Sequence, residues 1–280
     1  NLSVVISSQK DIDICNDTSV DIYFKLPNSF KMEDSVLIDL FKKNENLVPW
    51  FPSILIGDDY LAAVEFLEQL QPVRIVTNNT GIAYEAYKKE IPWIAGPHLN
   101  IANSHSLLCL KENFNCHGSF LSNELSKPQI MSVKKPEDFN LYYSIYEPIV
   151  LMTSRQCLFH QVTGCEKENM DDSCINQCEK YSSIENLKNE TFIIEKTKGN
   201  HNNVYNASNL LNTDIVTDMP DMFSSFFIDL SDIVTETIIE LDKASIIKLF
   251  KEHLNGNSES TKQLQHIIQP SNNTQYKDGI

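Results

Sequence analysis

The amino-acid sequence predicts a (β/α)8 barrel of the TIM type, with a cysteine-rich segment inserted between the last two strands. Short β-rich runs alternate with helical patterns along most of the chain, as a parallel sheet requires. There are eight such runs, which favours a closed barrel over an open doubly wound sheet. The length of 280 residues is close to the ~250 residues that are typical of such barrels.

The predicted strands are short, and several are continuously apolar, which is typical of strands buried on both faces of a parallel sheet. They span residues 2–7, 21–26, 53–57, 74–79, 93–97, 118–122, 149–153 and 226–230. An open doubly wound sheet is the alternative architecture. The sequence contains no G-x-G-x-x-G or Walker-type loop to support a nucleotide-binding version of it.

Helical patterns lie between the predicted strands. Residues 58–70 begin with two aspartates, which suit a helix N-terminus, and carry apolar residues at three-to-four spacing. The clearest helix is predicted at 236–254. There Ile246 and Phe250 lie on one apolar face, and Gly256 marks the end.

The alternation breaks once, at a long insertion of about residues 155–220 between the seventh and eighth predicted strands. Segments of this length in compact domains usually carry function or their own structure. We expect one barrel domain over residues 1–256 that includes this insertion, followed by a polar tail at 257–280. The chain begins with Asn1 rather than Met, so we also expect it to be part of a longer protein.

The net charge and the lengths of the apolar runs limit which partners the chain can bind directly. The formal net charge is -15, and an acidic chain does not by itself attract a phosphate backbone. Binding of RNA would therefore need a local basic patch or a basic region elsewhere in the parent protein. No apolar run approaches the ~20 residues that span a bilayer, so we expect no membrane association.

Four of the seven cysteines fall within 22 positions: Cys157, Cys165, Cys174 and Cys178. An odd number of cysteines without a secretion signal disfavours a disulfide framework and indicates a reducing cytoplasm. Four thiolates from one segment can hold a cubane iron–sulfur cluster or zinc. Zinc is the lesser alternative because it prefers C-x2-C pairs, and a set of unrelated buried thiols is disfavoured by the polar residues around them.

Polar residues follow several predicted strands, and in a barrel such residues meet at the mouth. Glu124 is a candidate general base, and Arg155 a candidate catalytic residue that grips a carboxylate or phosphate with its planar fork. The candidate substrate-binding residues are Asn79, Asn100, Asn103 and Arg155. The alternatives are helix capping for the asparagines and an ion pair with Glu124 or Glu147 for Arg155. No Ser/His/Asp arrangement, G-x-S-x-G or H-E-x-x-H is present.

Three stretches, TNNTGIAYEAYKKEIPWIAGPHLNIANSHSL, SFLSNELS and IYEPIVLMTSRQCLFHQVTGC, resemble the collagenase-like peptidase family U32. The resemblance covers roughly residues 49–256. Within the family it is closest to the C-terminal part of the members that hydroxylate a cytidine of large-subunit ribosomal RNA. The final NTQYKDGI resembles the start of the family's short C-terminal module.

The resemblance implies an enzyme with a four-iron cluster, a [4Fe–4S] centre, on four cysteines. It also implies RNA hydroxylation without molecular oxygen, with prephenate as the oxygen donor. Two such barrels work together in some members, so the implied partner is the rest of the parent chain or a second related barrel. This sequence departs from the commonest family pattern. Seven residues separate Cys157 from Cys165, and Arg155-Gln156 stands where a His-Gly pair is usual.

Two other functions stay open. One is protein hydrolysis, as the family name implies. The other is a non-catalytic auxiliary barrel whose cysteines hold a structural cluster or zinc.

Overall fold

A computed structural model of the chain describes residues 1–16, 20–30, 34–162, 164–167, 171–199 and 201–279. Its strands are β1 (Leu2–Ile6), β2 (Asp21–Lys25), β3 (Leu47–Phe51), β4 (Ile75–Thr77), β5 (Trp93–Ala95), β6 (Gly118–Phe120), β7 (Asn140–Glu147), β8 (Val150–Ser154), β9 (Lys180–Glu185), β10 (Thr191–Lys196), β11 (Asn202–Asn206), β12 (Asn209–Leu211), β13 (Ser225–Asp229) and β14 (Ser271–Asn272).

The α-helices are α1 (Asp34–Lys43), α2 (Asp58–Leu70), α3 (Thr80–Lys88), α4 (Ser104–Phe114), α5 (Lys127–Ser132), α6 (Leu158–Val162), α7 (Asp172–Asn176), α8 (Asp214–Asp218), α9 (Lys243–Leu254), α10 (Ser258–Ile267) and α11 (Thr274–Asp278). Two 3-10 helices span Gln9–Asn16 and Pro97–Leu99. In the described parts of the chain, no helix combines the length and the apolarity that a membrane crossing needs.

Eight strands form a closed parallel barrel, which confirms the predicted fold class. Strands β1 to β7 pair in sequence order, and β13 closes the ring by pairing in parallel with both β1 and β7. Helices connect most of these strands, as parallel neighbours require. The residues that end each strand therefore meet at one face of the barrel.

Alternation along the strands separates two cores. The interior of the barrel is a compact cluster rich in aromatic rings, comprising Val5, Tyr23, Val48, Trp50, Val76, Ile94, Phe120, Tyr142 and Phe227. The intervening residues of the same strands point outward and form the larger core with the helices. Phe120 lies near the centre of the interior cluster, with its ring centroid 4.6 Å from that of Phe227 and 5.3 Å from that of Trp50.

A one-residue bulge interrupts the pairing of β7 with β13. Phe227 lies opposite Ser144, but Ile228 lies opposite Tyr146, so Ile145 is the extra residue. Because of the bulge, Ile145 and Tyr146 both belong to the outer core. The next residue, Glu147, then turns to the same side as Ser144, where both line a cavity. Bulges of this kind re-aim the side chains that follow them.

The chain between β7 and β13 adds a second, four-stranded antiparallel sheet in the order β8-β11-β10-β9, which we call the roof sheet. The cysteines Cys157, Cys165, Cys174 and Cys178 lie within this inserted chain. Residues 163, 168–170 and 200 of the insertion are outside the described residues. After the roof sheet, the short β12 pairs antiparallel with the end of β7 and parallel with β14.

Two of the predicted barrel strands were wrong. The seventh barrel strand is β7, whereas residues 149–153 fall mainly in β8, the first strand of the roof sheet, whose central residues are exposed. The third strand is β3, whose residues are all buried, and no strand forms at 53–57. In β7 the polar Ser144 interrupts the apolar pattern of the strand. In β3 the interruption is Pro49, because proline is uncommon within strands.

The polar chain after Gly256 folds against the barrel. It forms α10, β14 and α11, which bury Leu264, Ile268 and Tyr276 against the barrel. The Tyr276 hydroxyl donates to Asp218 Oδ2 at 2.7 Å. The polar composition of this stretch belongs to the exposed faces of short helices whose few apolar residues are buried.

We predict that Phe120→Ala destabilises the protein by about 3–5 kcal/mol, because it leaves a cavity among rings that cannot collapse into it. The measurement is the midpoint of urea unfolding followed by circular dichroism. Leu187→Ala, at an exposed position, is the control and should change stability by less than about 0.5 kcal/mol. Equal effects of the two substitutions would contradict the assignment of Phe120 to the packed interior.

Candidate active site

A cavity of about 470 Å³ lies at the carboxyl ends of the barrel strands, between the barrel mouth and the roof sheet. Its floor includes the interior residues Val5, Trp50 and Phe227. Alternation then places polar side chains one layer above the apolar interior. Tyr23 of the interior is followed on the same face by Lys25, Val76 by Asn78, and Phe227 by Asp229, and these three polar residues line the cavity.

An ion pair crosses the mouth from β2 to β13. Lys25 Nζ contacts Asp229 Oδ2, and the Asp229 carboxylate is largely shielded from solvent. Asp229 Oδ1 also accepts hydrogen bonds from the backbone N–H and the hydroxyl of Ser231. These donors satisfy a carboxylate that would otherwise be costly to desolvate.

Glu147 is the second carboxyl group of the mouth, and the bulge in β7 turns it into the cavity. Asn123 Nδ2 donates to Glu147 Oε1 at 2.6 Å and to the Ser144 carbonyl at 3.4 Å. Burial, followed by the charge of Asp229, raises the pKa of Glu147 to about 7, against the lowering effects of Ser144, Lys25 and Asn123. Glu147 therefore exchanges a proton near neutral pH, as a general acid or base must.

His98 presents a neutral imidazole to the same cavity. Its backbone N–H donates to Asn78 Oδ1 at 2.9 Å, while Asn78 Nδ2 donates to the Phe51 carbonyl at 3.3 Å. The ring is open to the cavity but surrounded by protein, and burial together with Lys25 lowers the pKa of His98 to about 4. Gly96 permits this arrangement, since a Cβ there would lie 2.3 Å from Asn78 Oδ1.

The roof sheet closes the cavity from above with one of its two faces. Thr153, Glu195, Asn203 and Tyr205 alternate onto this face and line the cavity. Thr153 Oγ1 donates to Asn203 Oδ1 at 3.0 Å, and the Tyr205 hydroxyl donates to Glu195 Oε2 at 3.2 Å. Burial raises the pKa of Glu195. The roof is therefore a hydrogen-bonded polar surface that faces the mouth of the barrel.

The cysteine segment packs on the opposite face of the roof sheet. Phe159, Ile194 and Val204 form a small apolar cluster there, against which Cys157 packs. The backbone N–H of Cys165 donates to the Phe159 carbonyl at 3.4 Å. Cys174 is buried, and the other three cysteines of the segment are half-buried and free. The roof sheet is thus a wall shared by the cavity and the cysteine segment.

A buried lysine lies among three of the thiols. Lys196 is only 1% exposed, and its ammonium donates to the carbonyls of Thr197 and Gly199. Burial lowers the pKa of Lys196, while the nearby groups of Cys178, Cys157 and Cys174, in that order, oppose this effect. The Lys196 ammonium therefore lies close enough to these three thiols for their charges to interact.

Two polar side chains hold the backbone beside the cysteines. Asn202 Nδ2 donates to the carbonyls of Ser154 and Gln156, at 3.2 and 3.0 Å, which fixes the chain that enters Cys157. The buried Asn202 Oδ1 has no partner among the described residues. Asp171 Oδ1 accepts from the Cys174 backbone N–H at 3.0 Å and caps α7.

The donor set fits a thiolate-bound group in its chemistry. Within the residues that the structure describes, no three His, Cys, Asp or Glu side chains form a group that could hold a metal ion. Four free thiols on one segment and a buried ammonium beside three of them suit an iron–sulfur cluster, whose sulfurs accept hydrogen bonds and whose charge is negative. The assignment of Cys157, Cys165, Cys174 and Cys178 as ligands stays a prediction.

The other predicted site residues lie outside the cavity lining. Asn79 and Asn103 are N-caps, accepting from the backbone N–H of Ile82 and Ser106. Asn100 Nδ2 donates to Glu124 Oε2 at 3.3 Å at an exposed position. Arg155 is exposed beyond β8 of the roof sheet, because the strand that precedes it is not a barrel strand. Their catalytic and substrate-binding roles stay predictions, and the structure does not bring them to one point.

Sequence reasoning missed Lys25, Glu147 and Asp229 as site residues. Lys25 and Asp229 were visible as polar residues at the carboxyl ends of two correctly predicted strands. Glu147 gave no such signal, because the run Asn140–Glu147 was not recognised as a strand and the bulge that turns Glu147 inward leaves no mark in the sequence.

A (β/α)8 barrel with titratable side chains gathered in a cavity at its strand ends has the architecture of the TIM-barrel enzymes. Residues 57–279 match the family model of peptidase family U32, and the chain belongs to that family. The resemblance found in the sequence is thereby confirmed at the level of the family. No curated protein and no solved structure matches the chain.

The raised pKa of Glu147 makes stability depend on pH. An ordinary value of 4.5 in the unfolded chain and about 7 in the folded protein means that folding takes up a proton between these values. This group's contribution to stability is therefore lost as pH rises from 4.5 to about 7, by up to about 3 kcal/mol. Glu147→Gln should remove that loss.

The measurement is urea unfolding of the wild type and of Glu147→Gln from about pH 5 to pH 8. The difference between the two proteins isolates Glu147, since Lys25 and Asp229, the charged groups nearest to it, are present in both. Parallel pH profiles for the two proteins would show that Glu147 is an ordinary solvated carboxylate.

Proposed function

We propose that the chain is a domain of an iron–sulfur-dependent hydroxylase that modifies RNA without molecular oxygen, converting a cytidine to a 5-hydroxycytidine. The observation that carries the proposal is the wall shared by the barrel-mouth cavity and the cysteine segment. Glu179, which follows Cys178, and Thr197 and Lys198, which follow Lys196, line the cavity at the edge of this wall. Substrate and cluster would thus lie on adjoining sides.

Membership of the U32 family supports an enzyme of this fold, and the finer assignment rests on the cysteine segment. A [4Fe–4S] cluster on Cys157, Cys165, Cys174 and Cys178 would supply one-electron transfer when bound. Replacing a ring C–H with C–OH is a two-electron oxidation, so an oxygen donor must be reduced by two electrons in return. Prephenate has this role in the enzymes that the sequence resembles.

The residues of the mouth have distinct tasks in this proposal. Glu147, held by Asn123, accepts or returns the ring proton because its pKa lies near neutrality. The neutral His98 imidazole accepts or donates one hydrogen bond without adding charge. The Lys25–Asp229 pair fixes the position of the mouth layer between β2 and β13.

The proposal includes partners and a compartment. With a net charge of -15, the domain would reach RNA through the rest of the parent chain or through a second related barrel. Six described cysteines are free thiols, as a reducing cytoplasm would keep them.

We predict that anaerobically purified protein is brown and contains about four iron and four sulfide per chain. Alanine at Cys157, Cys165, Cys174 or Cys178 should each remove most of the iron and the visible absorbance. Cys109→Ser is the matched control, since Cys109 is exposed on α4, outside the insertion, and should keep the full iron content. Full iron content in all four alanine variants would exclude the cluster, and zinc in place of iron would identify the structural-metal alternative.

The activity test uses the full-length gene product. Incubated anaerobically with unmodified ribosomal RNA and prephenate, it should yield 5-hydroxycytidine, measured by mass spectrometry of nucleosides, and Cys174→Ala should abolish the product. Hydrolysis of gelatin that persists in Cys174→Ala, with no modified nucleoside, would replace the proposal with the peptidase function. A cluster-loaded protein with neither activity would be an auxiliary barrel.

A further inference from the structure

The charges that line the cavity are unbalanced. Its lining contains the carboxyl groups of Glu147, Glu179, Glu195, Asp229 and Asp232, and the ammonium groups of Lys25 and Lys198. Asp229 is paired with Lys25, and Asp232 Oδ1 with Lys243 Nζ at 2.8 Å. The other charged groups of the described lining are the carboxyl groups of three glutamates and the ammonium of Lys198. His98 and His201 add no positive charge, because burial lowers both pKa values to about 4.

An anionic ligand would meet this surplus in a partly enclosed site, where charges are screened less than at the surface. A dicarboxylate or a phosphate would have to leave water and approach Glu147 and Glu195. The described lining contains fewer ammonium groups than carboxyl groups, so the negative charge of the ligand would not be offset. Burial also raises the pKa values of these two glutamates, so the cavity disfavours negative charge on its own side chains as well as on a ligand.

The cavity suits a different class of ligand. Its floor is apolar, formed by Trp50, Phe227 and Val5, while carboxylate oxygens on its walls accept hydrogen bonds. A volume of about 470 Å³ is within the range of small-ligand pockets. A flat ring over the floor, with amino groups that donate to the walls, satisfies both surfaces. Carboxylates accept from the exocyclic amine of cytosine in this way in nucleic-acid recognition.

We propose that the barrel-mouth cavity binds an uncharged or cationic heterocyclic amine and excludes carboxylate and phosphate anions. The carboxyl groups of Glu147 and Glu195 set this charge selectivity. The inference deepens the proposed function, on which the choice of a cytosine ring rests. It places the modified base in this cavity and an anionic oxygen donor outside it.

The test is calorimetric titration of the anaerobically purified protein at about pH 8, where Glu147 is ionised. The probes are cytidine, uridine, cytidine 5′-monophosphate, succinate and inorganic phosphate. Cytidine should bind at least about tenfold more tightly than either succinate or phosphate, and more tightly than its own monophosphate. Uridine should bind about tenfold more weakly than cytidine, because it presents a carbonyl where cytidine presents an amine.

The double variant Glu147→Gln/Glu195→Gln keeps the shape of both side chains and removes both charges. It should reduce the preference of the cavity for cytidine over the monophosphate to less than about threefold. Glu185→Gln/Glu190→Gln is the matched control. It makes the same change in net charge in the β9–β10 hairpin, at exposed positions outside the cavity, and should keep the preference of the wild type.

Tighter binding of succinate or phosphate than of cytidine would overturn the inference, and so would the absence of cytidine binding at millimolar concentration. The proposed function is tested separately. Cytidine binding with the expected selectivity, but without hydroxylation by the full-length protein, would refute the proposed function alone. Hydroxylation by a full-length protein that binds no cytidine would refute the present inference alone.

Discussion

The site depends on the one-residue bulge in β7, where Ile145 has no counterpart on β13. Strict alternation would place Tyr146 in the cavity and Glu147 in the outer core, where an unpaired carboxyl group would be costly to bury. The bulge reverses both placements, so Tyr146 packs outside and Glu147 reaches Asn123, which follows the neighbouring strand β6. The same strand pairs with β6, β13 and β12, and it therefore fixes Glu147 relative to the neighbouring strands of the barrel and to β12.

The roof sheet also presents different side chains on its two faces. Glu195 faces the cavity, while its neighbour Lys196 faces the thiols of the cysteine segment, so adjacent residues on β10 serve opposite sides of one wall. The sheet keeps the surplus of carboxyl groups in the cavity apart from the thiols, which have a buried ammonium of their own. Two environments of different charge can thus exist within one insertion because a strand alternates its side chains.

Much of the fold was visible in the sequence, since six of the eight barrel strands are apolar runs followed by turn or helix signals. The other two were obscured by Pro49 and by Ser144, each of which is polar or unsuited to a strand in isolation but fits its place in the barrel. The cysteine segment was found because thiol spacing is local. Glu147, Lys25 and Asp229 come from three strands far apart in the chain, and only the closure of the barrel and the bulge determine that they meet.

The order of the elements along the chain also shapes how the molecule assembles. The roof sheet is built from neighbouring segments, with β9 and β10 joined through residues 186–190, whereas Ser3 and Ser225, whose hydroxyls lie 2.8 Å apart, are 222 positions apart in the sequence. Local pairings form faster than distant ones. Because the roof sheet and its cysteines precede β13 in the sequence, they also leave the ribosome before β13 does during synthesis. The wall between cavity and thiols can form while the barrel is still an open, seven-stranded sheet.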